Sequence, residues 1–416
     1  MTAEPLSARH YEARLLGISF EQVRAAAVWL MMASSFVVII EPAPVDLMFV
    51  LVLLMFLTSG LAVSVLVIPM ILYLLLYNIG GFISFIEVSN EQKAGMFVMT
   101  SAYMAVSAIF FAFYVAHDPV RRIVAFKNGY VMGAFIASAI AIAGYFDVGG
   151  TGEFLSPISR AQGLFKDPNV LSTYIILPAL FLIQEVMLKT KGWRLPRYIA
   201  LLTILACLFL SFSRGAWFNF AGAVTMMIVL TFVLTPSANT RSRIILLTIV
   251  GSGVVAMLLA YLVTLPEVRD LFLDRLTLVK SYDQGERGRF GIQLNSIQYL
   301  LESPFGFGPT LFRKLFGQDP HNVYLNAFAS YGWLGGVAYM LLALSTIVIG
   351  FKAVMYRTPW QNASIVVYSA MLATILQGIQ IDTDHWRHYY WMLGLTWGLY
   401  AASAAYVPPR QRTTAS

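Results

Sequence analysis

The sequence predicts an all-α polytopic membrane protein with about twelve transmembrane helices, and three observations carry that expectation. Only 12% of the 416 residues are charged, half of the quarter usual in soluble domains. Hydrophobic residues make up 58%, and the mean hydropathy is +0.72. The apolar residues fall in long continuous blocks, many of them reaching the roughly 20 residues a helix needs to cross a bilayer. Continuous rather than alternating runs argue against a β-barrel.

Taken in order, the blocks give spans at 24–40, 45–59, 62–85, 95–116, 128–146, 168–188, 198–213, 216–235, 244–264, 323–350, 363–380 and 389–407. The second is short, and Thr58-Ser59-Gly60 marks a tight hairpin into the third. The N-terminus lacks the charge, short apolar core and cleavage site of a signal peptide, so the first span is expected to stay uncleaved. Cys207, the one cysteine, lies inside an apolar block, which leaves neither an internal disulfide nor a thiolate metal cluster. No repeat, low-complexity tract or linker divides the chain, so residues 1–416 are expected to form a single membrane domain.

Charge sets the orientation. With the N-terminus inside, sixteen Lys and Arg fall on the cytoplasmic segments, five on the opposite short segments and seven in the long segment 265–322. Cytoplasmic loops are the Lys/Arg-rich ones. Both termini are therefore expected in the cytoplasm, with 265–322 outside or in the periplasm. The net charge of +7 follows from the same bias and does not call for nucleic acid.

The large outer loop between spans 9 and 10 is expected to be partly helical. Within it Phe290, Leu294, Ile297 and Leu301 recur on one helical face, suited to the membrane surface or to the bundle. Ser303-Pro304 and the Gly306, Gly308 and Pro309 cluster turn the chain. Asp319-Pro320 then reads as an N-cap with a first-turn proline, placing His321 in the first helical turn. Behind it Ala329, Gly332 and Gly336 share a face, with Gly335 adjacent, as in helices that approach closely.

His321-Asn322, nine residues, then Gly332-Trp333-Leu334-Gly335 resembles the O-antigen ligase and polymerase superfamily. "SRGAW" with Arg214, "SRAQGLFKDPN" with Arg160 and Lys166, "GERGRFGIQ" with Arg287 and Arg289, "SPFGFGPTLF", and "DTDHWRHYYWMLGLTWGL" with His385 and Arg387 agree with it, from about 155 to 400. The first 150 residues agree only as hydrophobic spans. The resemblance implies a bacterial inner-membrane glycosyltransferase. Its donor is a glycan on undecaprenyl pyrophosphate, and its acceptor hydroxyl lies at the periplasmic face. The acceptor is the lipid A core for a ligase and a growing polysaccharide for a polymerase. It also implies no nucleotide sugar, no metal and no cofactor.

Such a transfer must take a proton from the acceptor and stabilise a departing pyrophosphate. His321 is the candidate general base, since a neutral imidazole accepts a proton near pH 7. A helix N-terminus and nearby arginines favour that neutral form, while Asp319 opposes it. Arginine binds phosphate oxygens with a planar two-pronged fork, so Arg214, Arg287 and Arg289 are the candidate catalytic cations. Arg160, Lys166, Asn322, His385 and Arg387 are candidate substrate contacts. Asp382, Asp384 and His385 have no distinctive metal-ligand spacing, and no metal is assigned. Two competing classes remain. A solute transporter would place ionisable residues at mid-membrane, where this chain has almost none. A structural assembly partner leaves the outer arginines and His321 without a purpose.

Overall fold

The structure is a computed structural model that describes residues 14–15, 18–61, 63–189, 194–264, 269, 285 and 288–408. Two short strands, β1 (Arg14–Leu15) and β2 (Ile18–Ser19), pair antiparallel ahead of the first helix. Eleven helices follow up to the long loop: α1 (Phe20–Ala33), α2 (Pro44–Ser59), α3 (Ile68–Ile86), α4 (Gln92–His117), α5 (Pro119–Tyr145), α6 (Gly152–Leu155), α7 (Pro168–Tyr174), α8 (Ile176–Leu188), α9 (Arg194–Leu210), α10 (Arg214–Leu234) and α11 (Ala238–Thr264). After it come α12 (Arg289–Leu301), α13 (Phe312–Phe316), α14 (Val323–Met355), α15 (Gln361–Gln377) and α16 (Arg387–Ala404).

A helix occupies each of the twelve stretches read as a span, the sixth as the two pieces α7 and α8. Among the described residues, seven segments are long and apolar enough to cross a membrane: Val65–Ile86, Gln92–His117, Pro119–Tyr145, Pro168–Leu188, Arg214–Leu234, Ala238–Met257 and Val323–Met355; Pro44–Thr58 is a shorter apolar helix. The expected spans that became α1, α9, α15 and α16 run to only 14, 17, 17 and 18 residues. At 1.5 Å per residue they sit at or below the length of a full crossing.

Local chemistry sets the helix starts. Ser19 and Gln22 form a reciprocal capping box at α1. Asp118 caps α5 and Asp167 caps α7, each with a proline at the next position. Ser213 caps α10. Packing is closest where side chains are missing. A Cβ on Gly394 or Gly398 of α16 would lie 2.2 Å from the Ala108 carbonyl oxygen or 2.3 Å from that of Ala112, so α16 and α4 touch backbone to backbone.

Polar contacts sort the connecting segments into two ends of the bundle. At one end Lys166 meets Glu41, Arg387 meets Asp46, Lys314 meets Glu91, and the Val38 amide donates to the Leu164 carbonyl. At the other Arg122 and Arg24 converge on Glu21, Lys127 and Arg197 share Glu185, and Trp360 donates to Ser403. The predicted outer segments gather at the first end and the predicted cytoplasmic ones at the second.

α14 is broken at Gly332 (φ 66°, ψ −173°). Segment 304–307 fills the break: the Trp333 amide donates to the Pro304 carbonyl at 2.9 Å, and the Phe307 amide to the Ala329 carbonyl at 2.7 Å. The shared small-residue face is thus divided. Ala329 and Gly332 meet this loop, Gly335 meets α3 at Gly80, and Gly336 lies beneath Phe328. A small separate core of Leu300, Phe312 and Ala329 pins α12 and α13 to the first half of α14. α12 turns Ser296 and Leu300 inward. Its Phe290, Leu294, Ile297 and Leu301 face points away from the bundle, 44–68% exposed.

Candidate functional site

His321 does not lie in the first helical turn. The helix begins at Val323, and Asn322 is its cap: the Asn322 side-chain oxygen accepts from the Tyr324 and Leu325 amides, both at 3.1 Å. Asp319, expected as the cap, instead faces Arg313 at 3.6 Å. His321 takes a left-handed backbone (φ 48°) just ahead of the helix. It does so because a distant carboxylate claims its amide. Asp382 accepts from the His321 amide with one oxygen (3.1 Å) and from the Asn322 amide with the other (3.0 Å). The Pro320 carbonyl accepts from the Gln293 side chain of α12 at 2.7 Å, and the Val323 amide donates to the Gly378 carbonyl at 2.8 Å. The histidine is half-buried on a strap held from three directions.

Asp384 lies beneath the strap, 2% exposed. It accepts from the Asn326 amide group at 3.1 Å and faces His385 Nδ1 at 3.2 Å. The other ring nitrogen, Nε2, lies 3.0 Å from the Phe97 carbonyl oxygen, and the ring packs on Phe97. Burial works against the charged imidazole of His385, but Asp384 beside it prevails and its pKa is pushed up. Asp382 is pushed up to about 7, first by burial and then by Asp384, while the two amides it accepts pull the other way.

That shift has a measurable sign. Between the ordinary carboxylate range and about 7, the folded protein holds a proton on Asp382 that the unfolded chain has released. Stability from this group is complete at the acid end of that window and is lost as pH rises through about 7. Asp382→Asn is expected to flatten this part of the pH dependence. Thermal midpoints from pH 5 to 8 test it, and identical slopes in wild type and variant would overturn it.

Arg214 is the first residue of α10, and the neighbouring Gly215 packs against Gln377, directly before Gly378 of the strap anchor. Gln377 also accepts from Asn219 at 2.5 Å, locking α10 to α15. Arg160 donates to the Ser211 carbonyl at 2.6 Å and to Asn169 at 2.8 Å, beside that same corner of α10. Arg289 opens α12, one turn before Gln293. Contacts therefore link the elements bearing His321, Asn322, Arg160, Arg214 and Arg289 around one end of the bundle. Arg287 lies outside the described residues. Lys166 is engaged with Glu41, both half-exposed. Arg387 forms a two-pronged pair with Asp46 at 2.8 and 2.6 Å, and Tyr103 donates to the same carboxylate at 2.9 Å. That pair ties α16 to α2 and α4.

Sequence reasoning did not assign the grip of Asp382 on the strap or the parts played by Gln293 and Gln377. From the sequence, Asp382 stands out only as a weak metal-ligand candidate. Among the described residues, no three His, Cys, Asp or Glu side chains converge in a metal-binding arrangement.

The family model described as O-antigen ligase matches residues 199–340. The matched stretch holds Arg214, Arg287, Arg289, His321 and Asn322, and it bears out the resemblance to O-antigen ligases and polymerases carried by the motifs. No curated protein matches the chain. The family points to O-antigen ligase or polymerase activity acting on lipid-linked polysaccharide in a membrane.

Proposed function

We propose that this protein is a glycosyltransferase of the O-antigen ligase type, acting at the periplasmic face of the bacterial inner membrane. The acceptor is a hydroxyl on the lipid A core and the donor a glycan on undecaprenyl pyrophosphate. The observation that carries the reading is the His321 strap, with the arginine-bearing helix starts of α10 and α12 gathered at its end of the bundle. His321 takes the acceptor proton as the acceptor oxygen attacks the anomeric carbon. The bond from that carbon to the pyrophosphate oxygen breaks, and the carrier leaves with the electron pair. A single displacement of this kind inverts the anomeric configuration. Arg214, Arg289 and Arg287 neutralise the leaving group with forked contacts. The Gly288 cap of α12 offers no side chain, leaving the positive end of that helix open to an anion. Arg160 and Asn322 border the approach, Lys166 joins them on leaving Glu41, and His385 and Arg387 act through their contacts with Asp384 and Asp46. No cation is assigned to the step, so turnover is expected to persist in excess chelator.

The glycan profile of a deletion strain tests the function. Lost polymer on the lipid A core, with lipid-linked polymer still made, is the expected result. Single-repeat products would make the protein a polymerase instead. Unchanged glycans with lost solute uptake would make it a transporter.

The proposed topology has twelve crossings and cytoplasmic termini, supported by the sorting of contacts into two ends. With Cys207 replaced, single cysteines at 147–165, 265–320 and 381–388 are expected to react with an impermeant thiol reagent in spheroplasts. Cysteines at 189–197 and 351–361 are not. Labelling of 189–197 from outside would reverse the orientation and remove the site from the periplasm.

A further inference from the structure

We infer that a cleft at the opposite end of the bundle, between the ends of α8, α9 and α11, binds the phosphodiester headgroup of an anionic phospholipid. The cleft is lined by Lys189, Arg194, Arg197 and Arg243, with Glu185 as its one acid. That acid is already neutralised, since Lys127 from α5 and Arg197 (3.1 Å) both bond it. Lys189, Arg194 and Arg243 have no carboxylate partner among the described residues. The cleft therefore carries an excess of positive charge.

Arg243 gives the cleft a direction. Its Nη2 donates to the Val186 carbonyl at 2.8 Å, which anchors one prong of the guanidinium. Its Nη1 is buried and finds no acceptor among the described residues. A buried guanidinium nitrogen without an acceptor is costly, and a phosphate oxygen in the cleft would satisfy it. Guanidinium geometry suits that oxygen better than an ammonium does.

The flanks favour a lipid as the source of the phosphate. Tyr198 stands at the edge of the cleft, 39% exposed, as amphipathic rings do at headgroup level. Beyond it α9 exposes Leu195, Ile199 and Leu202, and α11 exposes Ile245, Leu246 and Ile249, each 48–70% exposed. These two apolar faces lead away from the cations and suit acyl chains. Basic clefts between helices on the cytoplasmic side are the usual seats of anionic headgroups.

The test uses the purified full-length protein in neutral detergent, with thermal stability and native mass spectrometry as readouts. Phosphatidylglycerol, phosphatidylcholine and inorganic phosphate are titrated separately. Phosphatidylglycerol is expected to bind and stabilise, with phosphatidylcholine much weaker. Removing one cation should weaken binding about fivefold. Arg243→Gln also removes the contact to Val186, so Arg194→Gln, at an exposed position, is the variant expected to fold normally. A response to inorganic phosphate that the variants lose would support the same site with a soluble ligand. Equal binding of both phospholipids, or binding unchanged in Arg194→Gln and Arg243→Gln, would overturn the inference.

Discussion

His321→Ala is expected to lower single-turnover rates by about 10²–10⁴, the usual range for loss of a general base, while donor affinity stays near that of wild type. The split follows from the strap. Asp382 and Gln293 hold residues 320–322 by backbone groups that alanine keeps, so the substitution removes the imidazole without releasing the segment. Asp382→Ala is the complementary variant. It strips the acceptor from two amides, and an unsatisfied buried donor costs about 1–3 kcal/mol. The strap should loosen, and turnover should fall although His321 is present. The arginines are expected to behave differently. Arg214→Lys keeps the charge but loses the fork, so both donor affinity and rate should drop. An arginine that merely reaches for water from a helix end would tolerate lysine. Wild-type rates in both His321→Ala and Arg214→Lys would sink the proposed site.

Gly332→Ala is expected to be the most destabilising of the small substitutions in α14. The backbone there occupies a region that only glycine enters freely, and the strain alone is about 1–3 kcal/mol. The added Cβ would also lie 2.7 Å from the Pro304 carbonyl oxygen and 2.9 Å from the Phe305 carbonyl carbon. Both are backbone atoms of the loop that fills the break, so neither can rotate away. Gly317→Ala separates the two costs. Gly317 also has a positive φ, of 85°, but nothing lies within 4 Å of a Cβ there. Thermal midpoints in detergent should fall modestly for Gly317→Ala and much further for Gly332→Ala, with activity lost in the second. Equal shifts would mean that the loop gives way and does not hold the break.

Hydropathy made the helices legible, because burial in lipid demands long apolar blocks whatever their partners. Local capping was legible only in part. Of the three Asp-Pro pairs, those at 118 and 167 cap helices, but the pair at 319 does not. There Asn322 stands three residues further on and takes the cap, and Asp382 draws the 321 and 322 amides out of helical geometry. A carboxylate 61 residues away leaves no local trace. The pairing of Arg387 with Asp46 spans 341 residues and was equally hidden. The break in α14 has no proline to mark it. In the sequence its glycine fits a close-packing face, whereas in the fold it serves a backbone turn. His321, Arg214 and Arg160 are candidates because the motifs resemble those of the family and the proposed chemistry calls for those side chains. What positions them is tertiary.

The grip of Asp382 on the strap also orders events during synthesis. α14 follows His321 directly in the chain, yet the carboxylate and the Gly378 carbonyl that seat the histidine arrive only with α15 and the segment after it. A nascent chain that has made the helices up to α14 holds Arg160, Arg214, Arg287, Arg289 and the base, but not the base in its place. Competence would come late, with the penultimate helix already in the bilayer. A chain cut short anywhere before residue 378 would insert and remain silent, so no half-made copy could act on the carrier lipid.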